Sequence, residues 1–139
     1  MTWWSPAAAA CVDELDADVV CTHVDRSSVV AATVLIARGV PADGHTPLPG
    51  PPDGARAVRF PGQDRLTGVH VVADITARSE IDEVVGIGVA VGPATPVDTL
   101  GFLRPTYQSG RLVLLVEPAA GGVLRPSEIA QPHQCCGGH

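Results

Sequence analysis

The densest chemistry in the chain is Gln131-Pro132-His133-Gln134-Cys135-Cys136-Gly137-Gly138-His139, where two imidazoles and two thiols fall within seven residues. Thiolate sulfur and imidazole nitrogen are the donors that Zn(II), Ni(II) and Cu(I) prefer, and four donors suffice for one ion. Gly137 and Gly138 let the backbone double back without the steric cost of a Cβ, so His139 can approach both thiolates. His133, Cys135, Cys136 and His139 are therefore the candidate metal ligands. A structural role competes with this: zinc-site cysteines are usually spaced by two to four residues, and an adjacent pair also packs as two small hydrophobes. A vicinal disulfide is a weaker alternative, because there is no Cys-x-x-Cys and no lysine to lower a thiol pKa.

The five residues Cys135 to His139, CCGGH, resemble pieces of the metal-loading tails of SlyD-type prolyl isomerases and of some nickel-handling accessory proteins. The resemblance implies metal capture by those residues only. The rest of the chain carries no prolyl-isomerase pattern.

A weaker set of ligands lies earlier. Cys21 and His23, two apart in Val19-Val20-Cys21-Thr22-His23-Val24, share one face if that run is a strand. His70, in Gly68-Val69-His70-Val71-Val72-Ala73-Asp74, could join them on one sheet surface and complete a site with the tail. The plainer expectation is a buried thiol and two hydrogen-bonded or solvent-facing histidines. Asp74 would share a face with His70, yet a carboxylate beside an imidazole is common without catalysis.

Other chemistry is poorly represented. Gly-x-Ser-x-Gly, His-Glu-x-x-His and His-x-Glu with a later Cys-x-x-Cys are all missing. Gly86-Ile87-Gly88-Val89-Ala90-Val91-Gly92 superficially resembles a nucleotide loop, but Pro93 and Pro96 follow where a helix should start. The glycines read instead as a bent or closely packed strand. All nine basic residues are arginine, which removes Schiff-base and P-loop lysines. Arg104, Arg111 and Arg125 could grip a partner's carboxylates, although edge charges that discourage sheet-to-sheet aggregation are the simpler expectation.

The elements that must position these groups are mostly strands. Ser5-Pro6 reads as an N-cap with proline at the first helical position, which predicts one short helix over residues 5–16. Beyond Asp18, β-branched runs broken by Gly and Pro predict eight short strands. They are Val19–Val24, Ser28–Arg38, Arg56–Phe60, Gly68–Thr76, Val84–Val91, Asp98–Leu103, Arg111–Glu117 and Gly122–Leu124. Ser109-Gly110 reads as a tight hairpin turn joining the seventh of these to the sixth. Residues 40–55, with five prolines between Val40 and Gly54, predict an unpaired Pro/Gly-rich loop, and residues 126–139 form the Cys/His tail. Trp3 and Trp4 should fold onto the sheet or lie in a subunit contact. The expected fold is mainly β: a single-domain sandwich or barrel over residues 1–139 with one N-terminal helix.

At 139 residues the chain is long enough to form a core without disulfides or metal, so stability argues for neither. A formal charge of −6 disfavours nonspecific binding to nucleic acid or to an anionic membrane. No apolar run is long enough to span a bilayer and the N-terminus makes a poor signal peptide, so the expectation is a cytoplasmic protein. Together these point to a non-catalytic accessory or binding module with a transition-metal site, for Zn, Ni or Cu, in the C-terminal segment. The alternative is a structural subunit of a larger assembly, with a protein partner or copies of itself held by the loop and the termini.

Overall fold

The computed structural model describes residues 2–5, 12–25, 32–41 and 45–128, with residues 13, 23–25 and 32–34 described by backbone alone. The fold is mainly β. Its strands are β1 (Thr2–Ser5), β2 (Val19–Asp25), β3 (Ala32–Gly39), β4 (Thr46–Leu48), β5 (Arg56–Arg59), β6 (Val69–Val71), β7 (Glu83–Gly86), β8 (Pro96–Asp98), β9 (Thr106–Gln108), β10 (Arg111–Pro118) and β11 (Leu124–Pro126). Among the described residues one α-helix, α1 (Val72–Arg78), interrupts them. All eleven strands of the described residues belong to one hydrogen-bonded sheet in the order β4-β1-β3-β2-β5-β9-β10-β11-β8-β6, with β7 paired to β10 off this path. The two end strands do not pair, so the sheet is open where a barrel would close. No helix among the described residues is long and apolar enough to cross a membrane.

The strongest β-branched runs form the long antiparallel pair β2–β3, from Val19↔Arg38 to Asp25↔Ala32. Strand alternation sends successive side chains to opposite faces. Val19 and Cys21 therefore enter the main core with Ile36, Leu112, Leu114 and Val116, whereas Val20 and Ala37 point the other way. There they meet Trp4 and Leu15 in a second, smaller core. β1 follows the same rule, with Trp3 packed against the main core and Trp4 fully buried in the second.

Ser5 ends β1, where Trp3 and Trp4 pair with β3, and its Oγ donates to the Leu35 carbonyl at 3.1 Å. Of the expected helix, residues 6–11 lie outside the described residues, and Val12–Glu14 form one 3₁₀ turn. The loop over 40–55 also contains a paired segment: β4 joins β1, with Pro47 opposite Trp4. Pro47 is tolerated because β4 lies at the end of the sheet, where a missing N–H breaks no second ladder.

Two expected strands are shortened. Gly68–Thr76 yields only β6 before turning into α1, whose Ile75 is buried in the core. Val84–Val91 ends at Gly86, where a Cβ would stand 2.2 Å from the Val89 carbonyl oxygen. The close approach expected of these glycines is therefore real, but it belongs to a bend following an outer strand. Ser109 and Gly110 form the hairpin turn, with φ of 51° and 79°, the left-handed values that a type I′ turn requires. The partner strand across it is β9, not Asp98–Leu103, with Gln108 opposite Arg111.

Candidate functional site

The tail ligands His133, Cys135, Cys136 and His139 lie outside the described residues. Cys21 sits on β2 between Ile36 of β3 and Ala57 of β5, with no solvent exposure. Burial pushes its thiol up to about 12, against a smaller opposing pull from the Arg38 charge. At neutral pH it is a protonated core thiol, whereas a metal ligand must be a thiolate. His23 stands opposite Val34 in the β2–β3 ladder, and its side chain lies outside the described set. His70 is on β6, and five strands separate it from β2 in the pairing order. Its Nε2 donates to the Thr67 carbonyl at 2.8 Å. Asp74 is on α1 rather than on a strand beside it. Among the described residues no three His, Cys, Asp or Glu side chains gather as a metal-binding group.

The structure builds two polar clusters instead. In the first, Arg38 on β3 contacts Asp18 at 3.1 Å and Glu80 at 2.6 Å, its guanidinium 5.7 Å from the Trp3 ring. Burial works against the Arg38 charge, but the bonds to Glu80 and Asp18 outweigh it and hold the pKa above its ordinary value. Trp3 in turn meets Tyr107 edge-on at 5.6 Å. The Tyr107 hydroxyl is buried and has no hydrogen-bond partner among the described residues. Burial, then Cys21, raises its pKa.

The second cluster follows from β10, whose ladder on one edge is divided. β9 pairs with Arg111–Val113, and β11 pairs with Val116–Pro118. The interval beside Leu114 and Leu115 opens as a cleft of about 50 Å³, also lined by Arg104, Thr106, Pro126, Ser127 and Glu128. Arg56, whose backbone pairs with Thr106, donates from Nη1 to Glu128 Oε1. Arg104 packs its guanidinium 4.0 Å from the Phe102 ring centroid and donates from Nη1 to the Leu103 carbonyl at 2.8 Å. Its pKa is lowered, by burial first and by the Arg56 charge as well, with Glu128 opposing.

Of the three arginines read from the sequence as carboxylate grips or edge charges, Arg111 pairs with Glu83 and Arg125 with Glu117. Only Arg104 faces this cleft without an ion pair among the described residues. Arg56 and Glu128 carried no sequence signal, because nothing in their spacing from Arg104 announces that β5, β9 and β11 converge. No protein-family model matches this chain, and no curated protein or solved structure is significantly similar to it.

Proposed function

We propose that this chain is a non-catalytic binding module that captures a transition-metal ion through its C-terminal segment. Two imidazoles and two thiols within seven residues, beyond the last described strand, carry the proposal. The burial of Cys21 supports it indirectly, since the metal chemistry then falls to the tail rather than to the sheet. Capture proceeds by deprotonation of Cys135 and Cys136, with His133 and His139 completing the shell as neutral imidazoles. Affinity therefore falls as pH drops through the thiol and histidine ranges. The scaffold is read as sandwich-like, because residues from strands far apart in the path, such as Cys21 of β2 and Val97 of β8, join one core.

The test is titration of the full chain with Zn(II), Ni(II) and Cu(I) beside a Cys135→Ser/Cys136→Ser variant. Stoichiometric binding lost in the variant supports metal capture by the tail, and equal uptake by both proteins removes it.

A role as an assembly subunit is favoured by one observation. Val69, on the strand that ends the described sheet path, is 57% exposed, and Leu100, two residues beyond its partner Asp98, is 52% exposed. Mass measurement of the native protein in solution separates the two: a defined, metal-independent oligomer supports the assembly, and a monomer opposes it.

A further inference from the structure

The cleft between β9 and β11 is lined by Arg104 and Glu128, and Arg56 adjoins it through its bond to the Glu128 carboxylate, so two guanidinium groups meet one carboxylate there, a local charge of +1. A guanidinium offers five N–H donors in a planar fork that matches a carboxylate. Arg104 uses its Nη1 on the carbonyl of its own neighbour, Leu103, and the stacking on Phe102 fixes the plane of the fork. Its remaining donors have no acceptor among the described residues. The cleft also exposes Ser127, whose hydroxyl makes no hydrogen bond there, while its backbone N–H donates to Leu115 at 2.9 Å. The volume, about 50 Å³, admits a group of a few heavy atoms and is far below the roughly 300–1,000 Å³ of an organic-substrate pocket. A like-charged pair in partly desolvated surroundings is destabilising until an anion joins it, and one carboxylate is already seated on Arg56.

We propose that this cleft is a binding site for a carboxylate group of a ligand, gripped by Arg104 and Arg56, with Glu128 as the built-in carboxylate that competes for Arg56. A monoanion neutralises the net +1, and the planar group matches the fork of Arg104. This site is separate from the metal chemistry of the tail and stands or falls independently of it.

Acetate is the probe. Titration of the full chain at constant ionic strength, balanced with chloride, is followed through the Nε–Hε resonances of Arg104 and Arg56 in ¹⁵N-labelled protein. The expected result is saturable shifts in roughly the millimolar range. Arg104→Gln abolishes saturation at Arg56, and Arg104→Lys, which lacks the fork, weakens it by about fivefold or more. Glu128→Gln, which removes the competitor, tightens acetate binding severalfold, an effect that a merely structural Glu128 would not produce. The Cys135→Ser/Cys136→Ser variant binds acetate like the parent. Shifts that grow linearly and equally in the parent and in Arg104→Lys overturn the proposal, as does weaker binding in Glu128→Gln. Phosphate binding about tenfold or more tighter than acetate overturns the assignment to a carboxylate.

Discussion

Arg38 Nη1 and Glu80 Oε1 meet at 2.6 Å, and the two residues come from opposite ends of the sheet path. Arg38 is on β3, near the end that carries β1 and β4. Glu80 lies two residues beyond α1, which follows the terminal strand β6. The backbone of Glu80 is held by its N–H to the Pro61 carbonyl at 3.1 Å. Side chains thus lace together an architecture whose backbone ladder stays open. Because both groups are partly shielded, the pair should contribute more than a surface ion pair does.

Replacing Arg38 with Met is expected to lower unfolding stability by about 2 kcal/mol, because it breaks two ion pairs and the contact with Trp3. Glu80→Gln alone should cost about half as much. Urea denaturation of the two single variants and the double variant measures the coupling, expected near 1 kcal/mol. A coupling of zero would show that the lacing contributes nothing.

Stability should fall under alkaline conditions through Cys21. Its folded pKa, about 12, lies above its ordinary value of 9.0, so the folded state holds the proton more tightly. The contribution is complete below pH 9.0 and is lost as pH rises toward 12, with a slope of about 1.4 kcal/mol per pH unit from this one proton. Tyr107, also raised, adds to the slope above its ordinary value of 10.0. Denaturation midpoints at pH 8, 9 and 10 should decline more steeply in the parent than in Cys21→Val.

Tyr107→Phe is expected to leave stability unchanged or to raise it by about 1 kcal/mol, since the hydroxyl is buried without a partner among the described residues. The ring must stay: Tyr107→Ala, which removes the edge-on contact with Trp3, should cost about 3–5 kcal/mol. Thermal denaturation distinguishes the two. A loss as large in the Phe variant would mean that the hydroxyl has a bound partner.

Leu100 holds φ of 58° in the turn closed by the Phe102 N–H to the Thr99 carbonyl, and its side chain is exposed. A left-handed backbone costs a leucine about 1 kcal/mol that asparagine largely avoids. Leu100→Asn should therefore stabilise the monomer by roughly 0.5–1 kcal/mol. If Leu100 belongs to an assembly surface, the same substitution weakens that assembly, which sedimentation reads directly.

The mainly-β class was legible because β-branched runs such as Val19–Val24 and Arg111–Glu117 coincide with the long ladders β2 and β10. The Ser109-Gly110 turn was legible because its left-handed backbone depends on local residue type. Illegible were the features set by distant neighbours. That Trp3 and Trp4 would fold onto the sheet was legible from their apolar bulk, but their pairing with both β3 and β4 was not, since β4 lies in the Pro-rich run read as an unpaired loop. Val72–Arg78 is helical despite Val72 and Thr76, with Ile75 turned into the core and the Ser79 hydroxyl donating to the Ile75 carbonyl. The arginine cleft joins positions 48 and 72 residues apart, a relation that exists only once β5, β9 and β11 have assembled.

Three strands, β7, β9 and β11, all take β10 as a neighbour. On the ribosome, the segments up to Gln108 emerge before the strand that two of them require. Until residue 118 has left the exit tunnel, their apolar faces stay unsatisfied and available to chaperones. The final architecture is therefore acquired late in synthesis and cooperatively, and a nascent chain stalled before Arg111 would be a substrate for proteolysis rather than a partly finished domain.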